Sequence, residues 1–308
     1  MPNVLDAAGR WFTDRVSNGW ARATVDFLAE LWHEIRDDRV SGLAAEVAFF
    51  GLLALFPGFI AVAAALGSLE TLIGAEAATE ARESVVSFLE RVLTSEASET
   101  IVAVQSLFEE QSTGLLTFGL LGALWAMSRG FAAVINALDV VYDLEERRSY
   151  LRLRGLSLVF SLLTVVVAAV MLAMIVVGPL LGTGHDVAAE LGFGDSFVTF
   201  WTLFRWPVTI VVLIIWATAL FHFAPNHRTP WRWDLAGAVV ASVAWLATTI
   251  GFRSYLAFAG GANQVFGALG GALIVLVWLY VLAIGMLVGG EVNAILAARH
   301  RIPRPGQE

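Results

Sequence analysis

The chain has 308 residues, of which 58% are apolar and only 15% charged, with a mean hydropathy of +0.74. A soluble domain carries roughly 45–50% apolar and about 25% charged residues, so a water-soluble globule is excluded and lipid must cover the surplus. Cysteine is absent, lysine is absent too, and all 19 basic residues are Arg. That excludes disulfides, thiolate chemistry, a Walker A loop and Schiff-base lysines, and the net charge of −8 speaks against nonspecific nucleic-acid binding.

Residues 1–42 lack the continuous apolar stretch of a signal peptide. Apolar residues such as Trp11, Trp20, Phe27, Leu28, Leu31, Trp32 and Ile35 recur among charges at roughly helical spacing. This predicts one or two amphipathic helices, either lying on the inner membrane face or packed on the bundle.

A bilayer core takes about 20 apolar helical residues. Six such stretches follow, near 43–66, 114–137, 155–182, 199–224, 235–257 and 265–290. The first and fourth contain Pro57 and Pro207, which kink a helix unless neighbours satisfy the freed carbonyls. Gly, Ala and Leu dominate without alternation, the pattern of helices rather than of a β-barrel. The fold class expected is an all-α membrane protein. A six-transmembrane-helix bundle (43–298) follows the amphipathic segment, carries an outer cap at 67–113, and ends in a tail at 299–308. The cap holds nine Glu against two Arg and reads as two short amphipathic helices.

Arginine orients the bundle. Fourteen Arg flank the spans on one side and three on the other, which puts both termini in the cytoplasm. An even number of spans requires both termini on one side, which agrees.

Ionisable groups at membrane depth are functional candidates by default. Glu46, Arg129, His222 and Glu291 come from four different spans and fall toward the inner end, with Asn293 beside them. Two readings stand. Arg129 binds an anionic headgroup bidentately, oriented by Glu46 and Glu291, or the three form a structural ion-pair lock. His222 alone reads as an interfacial helix-end residue. Arg205 and Arg253 read as residues snorkelling to outer headgroups. Gly267 and Gly271, and Gly285 and Gly289, have GxxxG spacing, which points to close packing within the chain ahead of dimerisation. The segment at 260–264, with Asn263, is a gate or a tight loop. Histidines are scattered, and no HExxH, GxSxG or nucleotide loop occurs. No catalytic set, metal-ligand set or cofactor is therefore expected.

Several segments resemble a known family. They are LAAEVAFFGLLALFPGF at 43–59, LWAMSRGFAAVINALDVVYD at 124–143, FAPNHRTPWRWDLAGAVVASVAW at 223–245 and VFGALGGALIVLVWLYVLAIGMLVGGEVNA at 265–294. Together they resemble the YihY/BrkB family of polytopic inner-membrane proteins, once labelled ribonuclease BN. The matching positions are Pro57, Ser128, Arg129, Pro225, Asn226, Arg228, Trp278, Tyr280, Gly290 and Glu291. Glu46 departs from the family, which usually has a small or apolar residue there. Phe266 stands where the family often has Tyr. The resemblance implies six spans, cytoplasmic termini and a link to envelope integrity and to the movement of lipids or lipid-linked glycans. Arg129, Glu291 and Glu46 are the expected substrate-binding residues. Pro57, Asn226, Arg228, Asn263, Trp278 and Tyr280 are the structural or gating ones. The expected activity is transport of a lipidic anion without an ATPase, with membrane lipids, anionic ones included, as partners. The alternative is a scaffold that docks an envelope protein through the acidic cap.

Overall fold

The computed structural model describes residues 19–55, 113–144, 148–172, 195–226, 230–259 and 267–299. Among them all regular structure is helical: α1 (Gly19–Asp37), α2 (Val40–Leu55), α3 (Thr113–Val141), α4 (Tyr150–Leu172), α5 (Asp195–Phe223), α6 (Trp231–Ala259) and α7 (Gly267–Arg299). Five of these, α3 to α7, are long and apolar enough to cross a membrane, and α2 is a shorter apolar helix. The rest of the first predicted span, with Pro57, lies outside the described residues, as do 67–112 of the predicted cap.

In lipid the backbone must satisfy its own hydrogen bonds, which is why these apolar runs are helical. Their hydroxyls follow the same rule. Ser157, Ser161, Thr164, Thr209, Thr218 and Thr248 each donate to the carbonyl four residues earlier, at 2.7–2.8 Å. α5 runs unbroken through Pro207. The ring removes one donor there, and Thr209 Oγ1 donates to the Arg205 carbonyl at 2.7 Å just beyond it.

α6 and α7 pack the most extensively, and small residues make this possible. A Cβ built on Gly289 would lie 2.6 Å from the Gly237 carbonyl and 3.0 Å from Ala241 Cβ. One on Gly237 would strike the Gly289 carbonyl, and one on Gly285 would lie 2.9 Å from Ala244 Cβ. The Gly285/Gly289 pair thus serves packing within the chain, as its spacing suggested. Trp245 Nε1 adds a bond to the Leu282 carbonyl at 2.9 Å. α7 also meets α1, α2 and α3: Leu279 packs near Gly51, and Gly290 faces Val141 and Leu138.

Burial is uneven along the helices. In α4 the buried residues are Ser157, Phe160 and Ser161, in α6 they run from Asp234 to Ser242, and in α7 from Ala283 to Ile295. No described residue of 162–171, 243–255 or 271–282 is buried. The helices therefore converge at the end bearing Arg36, Arg39, Arg148, Arg152, Arg154, Arg232 and Arg299, called here the arginine-rich end. Their far halves present Leu, Val, Ile, Phe and Trp outward.

Gly237→Ala should force α6 off α7, since backbone rather than a yielding side chain opposes the new methyl. The expected cost is about 3 kcal/mol, read as a large drop in the thermal midpoint of detergent-purified protein. Gly155→Ala, with open space around its Cβ position, should be neutral or mildly stabilising.

Candidate functional site at the arginine-rich end

Glu291 and Asn293 of α7 organise this end. Glu291 is 1% exposed, and Asn293 is fully buried. Asn293 Oδ1 accepts from the Gly237 N–H at 2.6 Å, and its Nδ2 donates to the Asp234 carbonyl at 3.3 Å. Asp234 sits in the first turn of α6 and His222 in the last turn of α5, the helix ends that favour a negative and a positive group respectively. His222 Nδ1 lies 2.8 Å from Asp234 Oδ2, with Asp234 fully buried. Trp231 stacks on the imidazole at 4.4 Å. His222 is thus the partner of a buried carboxylate, and not the interfacial helix-end residue that sequence position suggested.

Glu291 faces the turn between α1 and α2. Arg39 adopts a left-handed conformation there, with φ 53, which ends α1 and swings the chain into α2. Carboxylate oxygens of Glu34, Asp38 and Glu291 come within 4.8 Å of one another. At that spacing a pair of ionised carboxylates repels by about 3.5 kcal/mol for an effective dielectric near 20. Burial first, and then the charge of Asp143, push the Asp38 carboxyl up to about 6. Outside this cluster α1 is tied to α7 by Arg299, whose Nε donates to Glu30 Oε2 at 3.0 Å and whose guanidinium covers Phe27.

The Pro-Asn segment after α5 docks on the end of α3. The Asn226 N–H donates to Asp139 Oδ1 at 2.8 Å. Arg148 donates to the Ala224 carbonyl at 2.8 Å and to Asn226 Oδ1 at 3.3 Å. Asn226 is therefore a fastening between helix ends.

Arg129 lies elsewhere. Leu121, Trp125 and Arg129 form an exposed stripe on α3, and the guanidinium covers the Trp125 ring at 5.6 Å. Beside it Arg154 of α4 donates to Ser128 Oγ at 2.8 Å and to the Tyr150 hydroxyl at 3.3 Å. The charge of Arg129 also reaches Tyr150. Ser128 lies ten residues before Leu138, the side chain that packs on Gly290, which is roughly 15 Å along the helix axis. Arg129 and Glu291 thus stand at different depths, and among the described residues Arg129 makes no ion pair with Glu46 or Glu291. Glu46 is also exposed. The buried stripe of α2 is Val40, Ala44 and Ala48, and a residue two positions from Ala44 points roughly 200° away. The expected cluster of Glu46, Arg129 and Glu291 is corrected accordingly: it divides into a buried acidic group around Glu291 and an exposed basic group around Arg129.

Of the remaining candidates, Trp278 and Tyr280 are half-buried. Trp278 packs on Phe252 at 6.1 Å, and Tyr280 lies against the core. Pro57, Arg228 and Asn263 fall outside the described residues. Sequence reasoning missed Glu34, Asp38, Asp234 and Arg154. Asp234 carried a signal, since an acid in a helix's first turn one loop after a histidine invites pairing. Glu34 and Asp38 carried none, because helical spacing alone does not say which face of α1 meets α7.

His222→Ala should cost about 1–3 kcal/mol by taking the imidazole from the buried Asp234 carboxylate, whereas His222→Gln, which keeps a donor, should cost less; denaturation of the two variants in one detergent decides this. Arg148→Ala should leave the Ala224 carbonyl and Asn226 amide short of a donor, at about 1–3 kcal/mol, and open the segment near 226 to limited proteolysis.

The chain is 29% identical to the ribonuclease-like protein YfkH of Bacillus subtilis (strain 168), over 91% of this chain and 98% of that one. It is 28% identical to a UPF0761 membrane protein of Alkalilimnicola ehrlichii, over 94% of this chain and 63% of that one. It is 25% identical to the UPF0761 membrane protein PBPRA3489 of Photobacterium profundum, over 90% and 83%. No solved structure matches it. The family model for virulence factor BrkB matches residues 31–308, and with most of the chain inside that match, this multi-pass helical membrane protein belongs to the BrkB family.

Proposed function

We propose that this protein moves or releases a lipidic anion in the inner membrane, with Arg129 and Arg154 taking the headgroup. The carrying observation is the basic group on α3 and α4. Arg129 and Arg154 flank Ser128 and Tyr150, among the described residues neither guanidinium has a carboxylate partner, and the surface around them, Leu121, Trp125, Tyr150 and Leu151, is exposed. A guanidinium is costly on a lipid-facing stripe unless something anionic meets it, and phosphate is met bidentately by Arg. The apolar far halves of α4 to α7 suit acyl chains. In this reading the chain has six spans with both termini cytoplasmic, and movement proceeds without nucleotide hydrolysis.

A ribonuclease role, the one named for the Bacillus relative, fits this site poorly. The basic group that would meet a phosphate, Arg129 and Arg154, has no carboxylate partner among the described residues, so it offers no carboxylate acid or base for cleavage.

Native mass spectrometry of the purified protein tests the lipid reading. Wild type should retain a phosphate-bearing lipid, and Arg129→Ala with Arg154→Ala should lose it at least tenfold. That corresponds to removing charged hydrogen bonds of about 1.5–3 kcal/mol each. Vesicle assays with the retained lipid should show movement by wild type only. Equal lipid retention in both proteins would sink this reading and favour a scaffold acting through residues 67–113.

A further inference from the structure

The group around Glu291 is built for something other than a lipid anion. It joins three elements: Glu34 from α1, Asp38 from the following turn, and Glu291 from α7. Their carboxylate oxygens lie within 4.8 Å of one another. Among the described residues, the charges that bear on Glu291 are those of Asp38, Glu34 and Asp143, and those that bear on Asp38 include Asp143, Glu34 and Asp37. All are acidic. The arginines of the same turn stand elsewhere, with Arg36 and Arg39 exposed and lining a surface groove with Trp32.

A second observation concerns individual atoms. Glu291 is 1% exposed, and its Oε1, inaccessible to solvent, has no hydrogen-bond partner among the described residues. Asp38 Oδ2 is in the same position. Buried acceptors are normally satisfied. Asp38 and Glu291 also lie within hydrogen-bonding reach of each other, so this pair takes up either a proton or a cation, and among the described residues no guanidinium is paired with either of them. The partner must be small, because Glu291 is buried. It must also suit an all-oxygen donor set.

We propose that Glu34, Asp38 and Glu291 form a binding site for one divalent cation of the hard, oxygen-preferring class, Mg²⁺, Ca²⁺ or Mn²⁺. Such ions take carboxylate oxygens and complete their coordination with water. The half-buried Glu34 and Asp38 leave the α1 side as the route for that water. The ion converts a mutually repelling triad into a cross-link between the α1–α2 turn and α7. This site does not rest on the lipid reading: its residues lie apart from Arg129 and Arg154, and either can fail alone.

The test uses the full chain, without a histidine tag, in nanodiscs of zwitterionic lipid so that no lipid headgroup competes for metal. After EDTA treatment and its removal, Mn²⁺ is titrated and free ion is followed by electron paramagnetic resonance. Wild type should bind one Mn²⁺ per chain saturably, displaced by excess Mg²⁺ or Ca²⁺. Glu34→Gln and Asp38→Asn, both outside the spanning helices, should each weaken binding at least tenfold, and Glu291→Gln should abolish it. If Glu291→Gln fails to fold, the other two variants decide. Glu30→Gln, which touches only the exposed pair with Arg299, should leave affinity unchanged. No saturable binding by wild type would overturn the proposal. So would unchanged affinity in both Glu34→Gln and Asp38→Asn, or an equal loss in Glu30→Gln, which would mean diffuse surface attraction.

Discussion

The contact on which the rest of the bundle hangs is backbone against backbone, where Gly237 of α6 meets Gly289 of α7. No side chain separates the helices there, so their axes come close enough for Asn293, one turn on, to bond both the Gly237 N–H and the Asp234 carbonyl. In lipid, close packing and polar ties of this kind replace the hydrophobic drive that assembles soluble helices. That approach positions Asn293 and Asp234. Asp234 is held against His222, which brings α5 alongside, and Phe221 fills the space beside Gly289 and Gly290.

α7 then distributes neighbours by angular position. Gly289 faces α6, Gly290 faces Val141 and Leu138 of α3, Glu291 meets the turn after α1, and Asn293 returns to α6. Steps of about 100° per residue send adjacent positions to different partners. A stretch that reads in sequence as Gly-Gly-Glu-Val-Asn is therefore a junction among α1, α3, α5 and α6. This explains why a glutamate at the end of an apolar helix is buried instead of reaching water.

Two electrostatic environments of opposite sign result. Around Glu291 carboxylates gather, and among the described residues no guanidinium pairs with Glu291 or Asp38. Around Ser128, two arginines face an apolar exterior. Charges of opposite sign in a low-dielectric bundle would ordinarily seek each other, but the offset along α3 keeps these groups apart. The two sites can therefore serve different ligands, and the mutational tests for one leave the other intact.

Composition and hydropathy alone established a helical membrane protein, because 20-residue apolar runs have no other stable form in a bilayer. Five long apolar helices were legible as candidate spans, though not all of their ends, since α4 begins at Tyr150 and α7 runs to Arg299; the packing role of Gly285 and Gly289 was legible too, since small-residue spacing acts locally along one helix. The grouping of charges was not legible. Depth estimated from helix ends placed Glu46, Arg129 and Glu291 together. The tertiary structure separates them through two facts that sequence does not carry: the angular position of Glu46 relative to the Val40, Ala44 and Ala48 stripe, and the axial offset between α3 and α7. Glu34 and Asp38 come to Glu291 from more than 250 residues away in the chain. That encounter depends on how a left-handed turn at Arg39 folds α1 across the end of α7, and only the assembled bundle decides it.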